Sequence, residues 1–174
     1  MTPDTASLAT LVAKDQIRDL VLLYSRGVDR QDIDLLATLY AKDATDTHGD
    51  RFDGSASDYI AFLAAGLPHL RYSGHHVCNH LISVDGDTGE GEVYALAYHI
   101  YPDGKGGLVE DLKGVRYIDQ YRREDGRWLF ASRVVTFDFE SLRSAPPMEA
   151  TTPPETDASY SALAHRLFAR GARA

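Results

Sequence analysis

Apolar residues recur with a helical period over the first thirty positions. Ile17, Val21, Tyr24 and Val28 are spaced by four, three and four residues, which places them on one face of a helix. This pattern predicts a first helix over Thr5–Val28. Two shorter helices are predicted next, over Asp32–Tyr40 with Asp32 as the N-cap, and from Ser55 to about Gly66.

From Arg71 onward the period changes to two, which is typical of strands with one buried face. An earlier, brief strand is predicted at Ala44–His48, ended by Asp53-Gly54. Gly-containing turns separate four long strands at Tyr72–Val84, Glu90–Tyr101, Leu108–Arg123 and Arg127–Asp138. Helices followed by an antiparallel meander predict an α+β fold class. Strands of this length are expected to curl around a helix, because sheets twist.

The C-terminal part differs in composition. Ser144–Glu155 holds four prolines and predicts an extended connector, and Asp157–Arg170 predicts a terminal helix with an apolar stripe. We therefore predict one domain over residues 1–143 and a proline-rich connector with a C-terminal helical extension over residues 144–174. Such a helix would close over a pocket mouth, pack on a partner subunit or dock on the surface.

Charge and composition exclude several classes of protein. The 174 residues carry a net charge of -8, which argues against a nucleic-acid partner. No apolar run approaches the ~18 residues of a membrane span, and no secretory signal is visible. Cys78 is the only cysteine, so an intramolecular disulfide is excluded and a cytoplasmic location is expected. No nucleotide, phosphate or haem motif implies a cofactor. A homo-oligomer is expected, because an open curved sheet leaves a face or edge to cover.

Asp29, at the end of the first helix, and His75, early in the first long strand, form a candidate pair. A carboxylate on one ring nitrogen fixes the tautomer, and the other nitrogen can then remove a proton from carbon. The structural alternative is that Asp29 caps the helix or pairs with Arg26 or Arg30. His76 competes with His75, since neighbours in a strand face opposite sides. His76 and His80 share a face but lie ~13 Å apart, so we expect no metal site.

Four further side chains have open assignments. Tyr24 is either core or an acid that assists a leaving group, although five residues on a helix place it ~140° from Asp29. Arg116 in mid-strand either holds a ligand oxygen or forms a surface ladder with Glu92 or Asp119. His99 and Tyr98 face opposite sides, so one of them is expected to line a cavity.

A series of motifs over Ala13–Phe139 resembles a known family. The series consists of Tyr24, Asp29 and Asp32; Leu39 to Ala44; His75 and Asn79; Arg116 to Arg123; and Asp125 to Trp128. It is similar to SnoaL-like members of the nuclear transport factor 2-like superfamily, whose fold is a cone-shaped curved antiparallel sheet wrapped around N-terminal helices. Bile-acid dehydratase, hexachlorocyclohexane dehydrochlorinase and scytalone dehydratase share the closest pattern.

The resemblance implies a cofactor-independent lyase that eliminates water or halide from a hydrophobic, ring-containing small molecule. Asp29, His75 and Tyr24 would be catalytic. We expect the substrate to contact Arg116, Asn79, Tyr40 and His99. An isomerase or polyketide-type cyclase with the same pair, or a non-catalytic binding or oligomerisation domain, are the alternatives, and the fold by itself does not choose among them. Dimers and trimers are both expected from the resemblance.

Overall fold

The computed structural model describes residues 5–149 and 152–171. Three helices and a six-stranded sheet make up most of it, which confirms the α+β class. The helices are α1 (Thr5–Asp29), α2 (Ile33–Ala37), α3 (Ala56–Gly66) and, near the C-terminus, the one-turn α4 (Ser159–Ala162). The strands are β1 (Tyr40–His48), β2 (Asp53–Ser55), β3 (Tyr72–Asp85), β4 (Thr88–Pro102), β5 (Leu108–Glu124) and β6 (Arg127–Ala145).

The strands form one curved, open sheet in the order β2-β1-β6-β5-β4-β3. Three hairpins join β3 to β6 as the sequence predicts. The sheet is nevertheless mixed, because β1 runs parallel to β6 while it pairs antiparallel with β2. The expectation of an antiparallel sheet is therefore corrected at this one junction, where α3 and β3 to β5 separate β1 from β6 along the chain.

Helix α1 packs its apolar face against the inner face of the sheet. Ile17 and Val21 are fully buried and share one core with Val93 and Phe130. Gly27 permits α2 to pack closely on α1, because a Cβ at position 27 would lie 2.7 Å from the side chain of Leu36. Among the described residues, no helix is both long and apolar enough to cross a membrane.

Two boundaries in the N-terminal half differ from prediction. Strand β1 begins at Tyr40, since the second helix ends at Ala37 and the chain enters the sheet at once. Asp53-Gly54 belongs to β2 and pairs with β1, although their composition predicts a break. Both errors arise because pairing with a neighbouring strand overrides weak local propensity.

The C-terminal helix is present but shorter than predicted, since α4 covers only Ser159–Ala162 of the predicted span Asp157–Arg170. The structure has only α4 and the 3-10 turns Pro154–Thr156 and Arg166–Phe168 in this region. Leu163 and Leu167 of the predicted stripe are 42% and 37% exposed, so the stripe buries too little apolar surface to stabilise a longer helix. Polar contacts hold the segment instead: Arg26 donates to the Phe168 carbonyl at 2.8 Å, and Arg30 pairs with Asp157 at 3.3 Å.

Candidate active site

A cavity of about 270 Å³ lies between α1, α3 and the inner face of β3 to β6. Most of its wall is apolar, with Leu63 and Phe62 from α3 opposite Val115 and Val135 of the sheet. The polar side chains of the wall are Tyr24, His48, Arg51, Tyr59, His75, His99, Tyr101, Asp111, Lys113 and Tyr117. An apolar hollow with a few convergent polar groups is the usual form of a small-molecule site.

The structure brings Asp29 and His75 into contact. The Asp29 Oδ1 atom lies 2.6 Å from His75 Nδ1, and Oδ2 accepts the backbone N–H of His75 at 2.9 Å. Ser73 donates a third hydrogen bond to Oδ1 at 2.9 Å. A carboxylate only accepts, so Nδ1 carries a proton, and Nε2 is the nitrogen that is unprotonated whenever the ring is neutral. His75 lines the cavity, and its side chain is 8% exposed.

The surroundings of Asp29 keep it ionised. Burial alone would raise the pKa of this carboxyl group, but the hydrogen bonds and charge of His75, with Ser73, hold the pKa below its ordinary value. Asp29 is therefore a carboxylate at neutral pH, and its hydrogen bonds orient the His75 ring.

Tyr24 ends a chain of hydrogen bonds on the opposite wall. Asp46 accepts from His48 Nδ1 at 2.5 Å, which leaves His48 Nε2 to accept from the Tyr59 hydroxyl at 2.9 Å. The Tyr59 oxygen then accepts from the Tyr24 hydroxyl at 2.8 Å. Burial raises the pKa of Tyr24 to about 12 and that of Tyr59 well above 10, so both phenols stay protonated at neutral pH.

His99 on β4 faces His75, with the ring centroids 5.3 Å apart and the rings nearly perpendicular. Burial lowers the pKa of His99 to about 3, and the nearby His75 and Lys113 add to that effect. His99 is therefore neutral at pH 7 and can exchange hydrogen bonds in the cavity without carrying charge. Of Tyr98 and His99, the structure places His99 on the cavity side.

Asn79 does not reach the cavity. A β-bulge lies between Val77, which pairs with Ala95, and His80, which pairs with Val93. The extra residue shifts the alternation, so Asn79 is exposed and His80 turns inward, within 3.2 Å of the Tyr121 hydroxyl. His75 precedes the bulge and keeps the inward orientation that the alternation predicts.

Arg116 and Tyr40 also lie away from the cavity. Arg116 is on the outer face of β5, where it pairs with Glu92 at 3.0 Å and with Asp138 at 3.0 Å. The surface-ladder alternative describes its position, with Asp138 in place of Asp119. Tyr40 is buried in the core, where its hydroxyl donates to Asp46 Oδ2 at 2.7 Å. Tyr40 therefore holds Asp46, the first residue of the hydrogen-bond chain, from the side away from the cavity.

Among residues 5–149 and 152–171, the fully buried arginine is Arg133. Its guanidinium is fully buried, pairs with Asp119 at 2.7 Å and lies 4.2 Å from the ring centroids of Tyr24, Tyr117 and Phe130. Sequence reasoning missed it, together with Tyr59 and Lys113 of the cavity wall. The signal for Lys113 was present, since it alternates with Val115 and Tyr117 on the apolar face of β5.

Comparison with known proteins places this architecture in a family. The sequence model of the SnoaL-like domain matches residues 9–134. No curated protein matches the chain. A proposed scytalone dehydratase from Novosphingobium aromaticivorans superposes with a TM-score of 0.69 at 22% identity, covering 82% of this chain and 97% of its own.

Two further solved structures show how widely the fold is used. A hexachlorocyclohexane dehydrochlorinase from Novosphingobium barchaimii superposes with a TM-score of 0.66 at 22% identity, covering 79% of this chain and 97% of its own. A Mycobacterium tuberculosis protein of unknown function superposes with a TM-score of 0.62 at 21% identity, covering 74% and 73%. At these identities the likeness establishes the fold, and the activity must be argued from the cavity.

Proposed function

The chain belongs to the SnoaL-like domain family, and from that premise we propose that it is a cofactor-independent lyase that eliminates water or halide from an apolar, ring-containing small molecule. The observation that carries the proposal is the 2.6 Å contact between Asp29 and His75 Nδ1, in a ring that lines the cavity. An unprotonated Nε2 beside an apolar hollow is what a general base requires.

The proposed reaction uses groups of this chain alone. His75 Nε2 removes a proton from a substrate carbon, and the electron pair of that C–H bond forms a C=C bond while the neighbouring carbon loses its hydroxide or halide. When substrate binds, the Tyr24 hydroxyl turns its single proton from Tyr59 to the departing group and donates a hydrogen bond there. The proton taken by His75 then passes to a departing hydroxide, which leaves as water, or to solvent when the departing group is halide. Asp29 stabilises the transient imidazolium. Base catalysis of this kind contributes ~10²–10⁴-fold.

The cavity supports an apolar substrate with rings. Its wall carries aromatic and aliphatic side chains such as Phe62, Leu63 and Phe137, and His99 adds a neutral polar contact. An assembly of several copies and a cytoplasmic location are part of the proposal. Leu81, Tyr94 and Ile118 are 75%, 41% and 41% exposed, and they give the outer face of the sheet an apolar character suited to such an assembly.

Mass spectrometry of reactions with a panel of hydroxylated and halogenated ring compounds tests the proposal. Turnover should release water or halide, and His75→Ala should abolish it while the far-UV spectrum is unchanged. His76→Ala, on the exposed neighbour, is the matched control and should keep full activity. A product of unchanged mass would favour an isomerase or cyclase, and equal activity in His75→Ala and wild type would refute the role of the pair.

A further inference from the structure

Four polar side chains form a continuous chain of hydrogen bonds in the cavity wall. Asp46 contacts His48 Nδ1 at 2.5 Å, and His48 Nε2 lies 2.9 Å from the hydroxyl of Tyr59. That hydroxyl lies 2.8 Å from the hydroxyl of Tyr24. His48, Tyr59 and Tyr24 all line the cavity. The chain therefore has a carboxylate at one end and, at the other, a hydroxyl group that a bound ligand can reach.

When His48 is neutral, every proton of the chain is committed in one direction. Asp46 accepts the Nδ1 proton, so His48 Nε2 has only a lone pair and must accept from Tyr59. A phenol has one proton, so the Tyr59 oxygen can only accept from Tyr24. Tyr24 can then donate to a ligand only by giving up its hydrogen bond to Tyr59.

A proton on His48 Nε2 reverses this order without breaking a contact. The Nε2–H group donates to the Tyr59 oxygen, the Tyr59 proton turns to the Tyr24 oxygen, and the Tyr24 proton is free to turn toward the cavity. Each contact remains a hydrogen bond in both states, and the bond from His48 gains a charge. The chain is therefore an element with two states of opposite direction.

The surroundings keep the protons on the chain while it reverses. Burial raises the pKa of Tyr24 to about 12 and the pKa of Tyr59 well above 10, so the phenol protons reorient rather than leave. Asp46 is fully buried, and its second oxygen accepts from Tyr40 at 2.7 Å. The carboxylate is thus held beside the ring, where it offsets the positive charge that His48 gains.

Other titratable groups line the cavity or contact the chain. They are Arg51 between β1 and β2, His75 on β3, His99 on β4, Tyr101, Asp111, Lys113 and Tyr117 on β4 and β5, and Arg133 on β6. Ion pairs occupy the arginines, the lysine and the aspartate of this set. Burial lowers the pKa of His99 to about 3, so His99 stays neutral near neutral pH. His75 is therefore the imidazole whose effect must be separated from that of His48.

We propose that His48 is a positioning residue that sets the direction of this chain, so that its protonation turns the Tyr24 proton from Tyr59 toward the cavity. The reversal is a property of the chain itself and needs no particular substrate. Its effect on turnover rests on the proposed lyase function, in which Tyr24 donates to the departing group. With His48 protonated, that donation costs no internal hydrogen bond.

Nuclear magnetic resonance of the ligand-free protein tests the reversal directly. With nitrogen-15 in the histidines and carbon-13 at Cζ of the tyrosines, a pH titration follows the charge of His48 and the hydrogen bonding of each phenol. The Cζ signals of Tyr24 and Tyr59 should both move with the midpoint of the His48 titration. His48→Gln should remove this step from both signals.

Tyr59→Phe separates a reversal from a simple effect of charge. It removes the hydroxyl group between His48 and Tyr24 while both ends remain, so the Tyr24 signal should stop following His48, which still titrates. Tyr101→Phe, elsewhere on the cavity wall, is the matched control and should leave the response of Tyr24 unchanged. His75→Ala removes the other imidazole and should also leave this response intact.

Turnover gives a second readout, which depends on the lyase function. As His48 loses its proton at rising pH, kcat should fall about 2–10-fold, the factor that one neutral hydrogen bond is worth. Tyr59→Phe should lose this step of the pH profile. The ligand-free titration decides the inference by itself, so a failure of the lyase function would leave the reversal standing.

Three results would overturn the inference. The first is a Tyr24 signal that still follows His48 in folded Tyr59→Phe, because charge alone would then explain the response. The second is a wild-type Tyr24 signal that does not move while His48 titrates. The third is a His48 ring whose charge stays constant from about pH 4 to about pH 9. If His48→Gln fails to fold, Tyr59→Phe and Tyr101→Phe still decide between the two accounts.

Discussion

Asp29→Asn should switch the tautomer of His75 rather than merely weaken a contact. Asn offers one oxygen and one NH₂ group where Asp29 offers two acceptors. If the oxygen kept the ring contact, the NH₂ group would face the backbone N–H of His75, which Asp29 Oδ2 accepts at 2.9 Å. Two donors would then meet. The opposite amide orientation avoids this, since Ser73 and His75 Nδ1 can both become acceptors.

The magnitude follows from those three hydrogen bonds. All of them can be kept in the second orientation, but each loses its charge, and charge-assisted bonds are roughly twice as strong as neutral ones. At about 1 kcal/mol each, the loss in the free energy of unfolding is about 3 kcal/mol at pH 7. The ring proton should move to Nε2, which removes the proposed general base, so turnover should fall ~10²–10⁴-fold.

Stability should also lose part of its pH dependence. The pKa of Asp29 is lowered in the folded state, so its contribution is complete above the unfolded Asp value of ~3.9 and is lost as the pH falls through the lower folded value. In Asp29→Asn this loss of stability at low pH should be absent, because Asn does not titrate.

Nitrogen-15 NMR of the imidazole at pH 7.5 distinguishes the two tautomers directly. Wild type should show the proton of His75 on Nδ1, and Asp29→Asn should show it on Nε2. A proton that stays on Nδ1 in a folded Asp29→Asn variant, or a loss of turnover smaller than tenfold, would refute the reasoning.

Two further predictions concern buried charge. Burial lowers the pKa of His99 to about 3, so below pH ~6.5 the unfolded chain binds a proton at His99 that the folded chain does not bind. The free energy of unfolding therefore falls as the pH drops from ~6.5 toward 3. The difference between the free energies of unfolding at about pH 7 and about pH 4.5, measured with urea, should be smaller in His99→Gln than in wild type. Arg133→Met leaves the buried Asp119 without its ion-pair partner and should lower the free energy of unfolding, measured with urea, by about 3–5 kcal/mol. Adding Asp119→Leu should recover part of this loss. Arg116→Met on the exposed face is the control, and a similar loss there would contradict this account.

Local pattern predicted which segments form elements better than it predicted which face each residue presents. The four long strands and α1 were correct within a few residues, except that β6 continues to Ala145, because strong periodicity and turn residues specify them. The prediction placed Asn79 on the wrong face, because one β-bulge reverses the alternation of residues in β3. The residue types in β3 do not indicate where this bulge lies. Arg116 and Arg133 look alike in sequence, and only the pairing of β5 with β6 decides which one is buried.

Tyr24 and Asp29 lie on the same helix but on different sides of it. Five residues on a regular helix separate these side chains by ~140°, and α1 stays helical through Asp29. Both therefore cannot reach one cavity directly. Tyr24 lines the cavity, whereas Asp29 lies in a polar cleft beside Arg71 and Asp157. His75 lines both and forms the wall between them. In the proposed mechanism the carboxylate therefore acts on the cavity through the imidazole, and the helix needs no distortion.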